Sequence, residues 1–163
     1  MATTTIIIIV GLVFIIALRV WRSVSTNRAE KKSKKLIEAF LSAVSISFTK
    51  ANQRPSEDTR TADVLAIDIK NIILKETSDA FDHLMLNIKA VPKMEFKFLS
   101  DDPATNKFTA KVFKLTLESC KWILDFKGKS KETILNSYRE RFYMDIYKII
   151  LDDFLKCRSK QKN

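Results

Sequence analysis

The longest unbroken hydrophobic pattern in the chain lies at its N-terminus. Residues 2–18 carry no charged side chain, and residues 3–21 would span roughly 28 Å as a helix, at about 1.5 Å per residue. This length just crosses the hydrocarbon core of a bilayer, so the pattern predicts a transmembrane anchor within residues 1–22. The apolar residues of the predicted anchor are Ile6, Ile7, Ile8, Ile9, Val10, Leu12, Val13, Phe14, Ile15, Ile16, Leu18 and Trp21.

Two alternatives to a retained anchor fit the same stretch less well. A cleaved signal peptide begins with a basic region and ends at a small-residue cleavage site, and neither flanks this stretch. A buried helix of a globular protein is rarely so uniformly apolar. The pattern therefore favours an anchor that stays in the mature chain.

A basic segment follows the predicted anchor. Residues 19–35 carry seven basic side chains against Glu30 alone, a net charge of +6. The positive-inside rule then predicts an N-terminus outside and a C-terminal domain on the cytoplasmic side, or the matrix or stromal side in an organelle. The juxtamembrane part, 23–35, is also expected to attract anionic lipid head groups. The basic residues are Arg19, Arg22, Arg28, Lys31, Lys32, Lys34 and Lys35.

Helical periodicity dominates the next part of the chain. One apolar stripe predicts a helix from residue 36 to the polar stretch 52–58. A second helix is predicted from near Thr61, with a break or a new N-cap at 77–79, and Pro92 ends that pattern. The stripe of the first helix comprises Ile37, Phe40, Leu41, Val44 and Phe48.

The helix predicted over 133–156 has the broadest apolar face. It contains neither Gly nor Pro, and its stripe is wide enough to need two partners: the domain core, and either more of its own chain or another subunit. We therefore predict a face for a partner protein on this helix. The candidate residues are Tyr138, Tyr143, Tyr147, Leu151 and Phe154.

Between these helices, region 94–126 shows a different period. Apolar residues at 94, 96 and 98, then at 108, 110 and 112, then at 113, 115 and 117 alternate with polar ones. This period of two predicts a β-hairpin or small meander, with a β-bulge at 112–113. A helical alternative stays open, because Asp102-Pro103 is a good helix start and Val112, Leu115 and Trp122 can share one helical face.

Composition narrows the fold class. The chain has only two glycines, which disfavours a fold built from many tight hairpins. The sequence therefore predicts a single N-terminal transmembrane helix plus a small, mainly helical α+β soluble domain over 36–156, with an all-α helical domain as the alternative. A basic tail, 157–163, completes the chain.

No residue pattern indicates catalysis or cofactor binding. Two glycines cannot build a glycine-rich phosphate loop, and the single histidine, His83, has no cysteine near it in sequence. We interpret the acidic pairs 101–102 and 152–153 as capping or solvated charge, and Cys120 and Cys157 as two inert thiols, with a single disulfide as the alternative. We expect no enzymatic activity, no cofactor and no metal site.

The charge distribution argues against nucleic acid as a partner. Residues 36–155 hold eighteen basic and eighteen acidic side chains, so the net charge of +10 comes from the two ends of the chain. A nucleic-acid-binding domain usually clusters basic residues on one folded face.

Three functions remain as hypotheses. The first is a non-catalytic single-pass accessory, scaffold or assembly subunit of a larger membrane protein complex. The second is a membrane-tethered binding module whose aromatic-lined pocket, formed by residues such as Phe96, Phe113, Trp122 or Phe126, holds a peptide or lipid. The third and weakest is a membrane tether for nucleic acid or the ribosome through the basic ends.

Overall fold

The structure is a computed structural model that describes the backbone of residues 2–52, 61–97, 99–126 and 130–160, and the side chains of these residues except 2–14 and 157–160. The described ranges form four helices: α1 (Ala2–Asn52), α2 (Ala62–Asn87), α3 (Pro103–Asp125) and α4 (Lys131–Lys160). They contain no β-strand. The predicted α+β domain is therefore wrong, and the all-α alternative is the fold.

α1 is one continuous helix that passes through the predicted boundaries at residues 22 and 35. Its 51 residues correspond to roughly 77 Å at about 1.5 Å per residue. Residues 15–28 are exposed on every side, whereas the stripe of Ile37, Phe40, Leu41 and Val44 is buried. The first part of the described helix therefore projects beyond the core that its second part helps to build.

The transmembrane prediction is contradicted. Within the residues that the structure describes, no helix is both long enough and apolar enough to cross a bilayer. The side chains of residues 2–14 lie outside the described set. The predicted single-pass topology, and the membrane localisation and orientation derived from it, are corrected accordingly.

Within the hairpin or meander predicted over 94–126, residues 103–125 form a helix instead, and some of the residues that looked polar are buried in it. α3 buries Phe108, Val112 and Phe113, but it also buries Thr109 and Thr116 on the same face. The Thr109 hydroxyl donates to the Thr105 carbonyl (2.7 Å), and the Thr116 hydroxyl donates to the Val112 carbonyl (2.7 Å). Since each hydroxyl is satisfied by its own helix, it can enter the core, and the buried positions recur every three and four residues.

The prediction of a break or a new N-cap at residues 77–79 is also wrong, because α2 runs through them without interruption. Thr77, at the predicted break, is fully buried and donates its hydroxyl proton to the Ile73 carbonyl (2.7 Å). The Tyr143 hydroxyl of α4 lies 2.7 Å from Thr77 Oγ1 and donates to it, because the Thr77 proton is already given to Ile73. A residue type typical of caps thus ties two helices together inside the core.

The four helices pack in the cyclic order α1, α2, α4, α3. α2 packs mainly on α1 and α4, α3 also contacts α1 and α4, and α2 and α3 scarcely touch. An aromatic cluster lies at the centre, where the Phe81 and Phe142 ring centroids are 4.5 Å apart and each lies 5.8 Å from that of Phe40. Phe48 and Phe108 stack at 4.0 Å where α1 meets α3.

Candidate interaction groove

Residues 89–101 join α2 to α3, and we call them the connecting segment. Pro92 is buried and Met94 and Phe96 are half-buried, whereas Lys93 and Glu95, which lie between them, are exposed. Side chains that alternate in this way indicate an extended course. The predicted alternation over 94–98 thus exists in the described residues of this range, but no second strand pairs with it there; Phe98 lies outside the described residues.

Both ends of the connecting segment are held by side chains of neighbouring helices. The buried Ser33 hydroxyl oxygen of α1 accepts hydrogen bonds from the amides of Lys89 and Ala90, each at 3.3 Å. At the other end, Asn106 Oδ1 of α3 accepts from the amides of Leu99 and Ser100, each at 3.1 Å. The Asn106 side-chain amide also donates to the Ser100 carbonyl. The segment is therefore fixed at two points by two acceptors that each bind two amides.

The middle of the connecting segment lacks such partners. Among the residues that the structure describes, nothing accepts a hydrogen bond from the amides of Lys93, Glu95 or Lys97. These residues have exposed side chains and lie between the two fixed ends. Their backbone groups are consequently available to water or to another chain.

An apolar groove lies between the connecting segment, α1 and α3, with a volume of about 370 Å³. Leu41 and Phe113, which are 3% and 6% exposed, belong to the core, and the Phe113 ring centroid lies 5.8 Å from that of Phe96. Part of the groove lining is therefore formed by packed core side chains. The lining residues are Glu38, Leu41, Ser42, Met94, Glu95, Phe96, Lys97, Leu99 and Phe113.

Basic side chains surround the connecting segment. Lys34 of α1 lies beside Lys93 and Lys97, and these lysines line a second, open depression with Met94, Glu95 and Phe96. Lys32 and Lys35 line an adjoining cleft of about 320 Å³ with Lys89, His83 and Asn87. Several residues predicted as juxtamembrane thus lie next to the segment, and those that the structure describes are exposed apart from the half-buried Lys34.

α4 places the candidate partner face largely against its own bundle. Tyr143 is 1% exposed, and Tyr138, Tyr147, Leu151 and Phe154 are half-buried against the core. Tyr138 stacks on Trp122 at 4.2 Å, and Trp122 lies 5.4 Å from Phe126. Of the four aromatic residues proposed to line a pocket, the fold brings Phe96 and Phe113 together and places Trp122 and Phe126 at a separate site.

Two carboxylates outside the groove, those of Asp153 and Asp82, are paired with basic side chains. Burial would raise the pKa of Asp153, but Lys111 (2.7 Å) and Lys107 (3.1 Å) lower it overall. Burial raises the pKa of Asp82 against the opposing effect of its partner Arg139.

The remaining candidate ligands and nucleophiles are scattered. Burial raises the pKa of the Cys120 thiol to about 12, so it stays protonated, and the side chain of Cys157 lies outside the described set. In the described part of the chain, no three histidine, cysteine or acidic side chains come together as metal ligands.

Comparison with known proteins does not assign the chain to a family. No protein-family model matches the chain. Neither a curated protein nor a solved structure is significantly similar to it.

Sequence reasoning did not single out the two residues that hold the connecting segment. Ser33 lies in a run of lysines, and its amide donors are 56 and 57 residues away along the chain. Asn106 follows Asp102, and its side chain turns back to bind residues 99 and 100. Serine and asparagine side chains often bind backbone groups close to them in sequence, so the contact of Asn106 with residues 99 and 100 could have been predicted. The contact of Ser33 depends on tertiary structure and could not.

Proposed function

We propose that this protein is a non-catalytic interaction subunit that binds a segment of a partner protein in the groove between α1, the connecting segment and α3. The observation that carries the proposal is the preformed apolar groove of about 370 Å³ whose walls include the core residues Leu41 and Phe113. Preformed concave sites lined by apolar and aromatic side chains are where proteins bind ligands and partner side chains. The proposal combines the assembly subunit and the aromatic-lined binding module that the sequence suggested.

The packing of Leu41 and Phe113 in the core supports this proposal. Phe113 packs on Phe96, and Leu41 belongs to the same buried cluster as the aromatic centre of the bundle. A partner side chain entering such a site does not have to order the walls, so more of the free energy of its burial is retained as affinity.

Exposed apolar side chains on another part of the chain also support a role as a subunit of an assembly. Ile15, Ile16, Val20 and Trp21 are 50–72% exposed on the projecting part of α1. Apolar residues exposed together in this way usually mark a surface that another protein covers. The groove and this projecting part give the chain two surfaces, as a subunit that connects partners requires.

Filling the groove tests the proposal. Ser42 is exposed on the groove lining, and its side chain has no hydrogen bond among the described residues, so Ser42→Trp should place an indole in the groove without disturbing the core. The matched control is Ser42→Ala. The full-length chain and both variants would be isolated gently from the native source and sized, with thermal unfolding as the check on folding.

We expect the wild-type chain and Ser42→Ala to elute within a larger assembly and Ser42→Trp to elute as the free chain with unchanged thermal stability. A wild-type chain that is a monodisperse monomer would overturn the proposal. So would a Ser42→Trp variant that remains in the assembly.

A further inference from the structure

We propose that the bound partner segment is an acidic, extended strand that pairs with the connecting segment through backbone hydrogen bonds at Lys93, Glu95 and Lys97. This inference rests on the proposed function and states the chemistry of the partner. It follows from four observations: the unpaired backbone, the two fixed ends, the apolar groove and the surrounding charge.

The backbone geometry supplies the first step. In an extended chain, the N–H and C=O groups of alternate residues point to the same edge. Lys93, Glu95 and Lys97 are such alternate residues, and none of their amides has an acceptor among the described residues. A strand added to an exposed edge of this kind gains main-chain hydrogen bonds whatever its sequence.

The fixed ends supply the second step. Ser33 holds the amides of Lys89 and Ala90, and Asn106 holds those of Leu99 and Ser100. The edge between them is held in place before any partner arrives. Pairing therefore costs less conformational entropy than it would on a loose loop.

The groove defines the side chains of the partner. Met94 and Phe96 face inward and line the groove with Leu41 and Phe113. Alternate side chains of an added strand point to the same face as Met94 and Phe96 and extend the apolar surface there. The partner is accordingly apolar at every second position.

Charge defines the other positions. Lys34, Lys93 and Lys97 lie together on the open side of the segment, and Lys32, Lys35 and Lys89 line the adjoining cleft. Glu38 and Glu95 are the acidic residues of the groove lining. The excess of lysine favours a partner with acidic residues between its apolar ones and disfavours a basic one.

A defined probe tests the strand directly. The probe is a short fluorescein-labelled peptide in which glutamate and valine alternate, and its binding to the full-length chain is measured by fluorescence anisotropy. Its first control has the same composition with the valines at helical spacing. Its second control is N-methylated at alternate residues. It is made in two versions, each of which removes the amide donors along one edge of the peptide.

We expect saturable binding of the alternating peptide that weakens as salt is added, and weaker binding of the helical-spacing control. One N-methylated version should bind worse than the unmodified peptide by about fivefold for each hydrogen bond lost, and the other version should bind normally. Equal binding of both N-methylated versions and the parent peptide would overturn strand pairing. Failure of the alternating peptide to bind would overturn it as well.

Protein variants give a second, independent measurement. Glu95→Pro removes one amide of the proposed edge and should weaken binding about fivefold, whereas Glu95→Ala keeps the amide and should not. Lys97→Glu should weaken binding of the acidic peptide more than Lys114→Glu, which changes an exposed lysine of α3 outside the groove lining. Normal binding by both Glu95→Pro and Lys97→Glu would contradict the inference.

The two proposals can fail separately. If Ser42→Trp dissociates the native assembly but N-methylation and Glu95→Pro have no effect, the groove binds its partner by side chains alone and only the strand inference falls. If self-association of the chain competes with the peptide, the occupant is a second copy and the acidic partner is excluded. If Ser42→Trp leaves the assembly intact, the proposed function itself falls.

Discussion

The connecting segment and α3 carry the same alternation of apolar and polar residues, yet the first is extended and the second is a helix. They differ in what stands at the polar positions, which are all charged in the connecting segment but include both threonine and lysine over 109–116 of α3. In the connecting segment these positions are Lys93, Glu95 and Lys97, whose charges must stay in water. In α3 they include Thr109 and Thr116, whose hydroxyls bond to the preceding helical turn and so enter the core.

The comparison shows that a period of two counts as evidence for an extended chain mainly where all of its polar members are charged. Threonine and serine are ambiguous, because a helix can satisfy their hydroxyl groups internally. In α3 the signal that identified the helix correctly was its start: Asp102 accepts hydrogen bonds from the amides of Ala104 and Thr105, and Pro103 occupies the first turn.

Proline substitution should give the largest difference in stability between the connecting segment and α3. Lys114 is exposed in the middle of α3, and Lys114→Pro should lower the free energy of unfolding by about 3 kcal/mol or more, since it removes a helical hydrogen bond and clashes with the preceding turn. Glu95→Pro removes an amide that has no acceptor in the described chain, so its effect should stay below about 0.5 kcal/mol.

Urea denaturation of both proline variants measures this difference. Lys114→Ala and Glu95→Ala serve as controls for the loss of each side chain. Equal destabilisation by the two prolines would show that the connecting segment depends on its backbone hydrogen bonds as α3 does.

Replacing buried threonines should lower the free energy of unfolding by smaller amounts, which differ between positions. Thr77→Val removes the only described hydrogen-bond partner of the buried Tyr143 hydroxyl and should cost about 1–3 kcal/mol. Thr116→Val removes a hydroxyl that bonds only to its own helix, and the Val112 carbonyl keeps its helical donor, so the change should stay within about 0.5 kcal/mol.

Thermal and urea unfolding of the two valine variants check this expectation. The double variant Thr77→Val with Tyr143→Phe should recover part of the loss, because neither member then leaves a buried polar group without a partner. A larger cost at Thr116 than at Thr77 would contradict the account of why α3 tolerates buried threonines.

The start of α3 should contribute the smallest effect, and that effect should depend on pH. Hydrogen bonds from the Thr105 hydroxyl, with those from the Thr105 and Ala104 amides, hold the pKa of Asp102 below its usual value of 3.8. Since the folded-state pKa is depressed, the stabilisation is fully present above the unfolded value and is lost as pH falls through the folded one.

Asp102→Asn tests this dependence, because asparagine still caps the helix but does not titrate. The wild-type chain should be the more stable of the two at neutral pH, and the difference should shrink as the pH is lowered below about 3.8. A difference that does not change with pH would show that the charge of Asp102 contributes nothing to the helix start.

Local patterns could predict much of the fold. The stripes of α1 and α4 identified buried residues such as Phe40 and Phe142, because an apolar face at helical spacing must be covered. The patterns failed where tertiary contacts decide: the hydroxyl of Thr77 looked like a break until Tyr143 met it from α4. Apolar length alone also misled the transmembrane prediction.

The candidate site was predictable only in part, since Phe96 and Phe113 were nominated from their pattern but are seventeen residues apart in different elements. Their meeting depends on Ser33 and Asn106, which fix the course of the chain between α2 and α3. Contacts between residues so far apart leave no trace in a single sequence.

The cyclic order of the helices has a topological consequence for the groove. α2 and α3 stand at opposite corners of the bundle, so the polypeptide between them has to travel diagonally across its surface, passing Ser33 and Leu41 of α1 on the way. A tight turn could not replace that diagonal without exchanging the places of two helices. The concave surface is therefore a by-product of chain routing, and it should persist for as long as this helix order does.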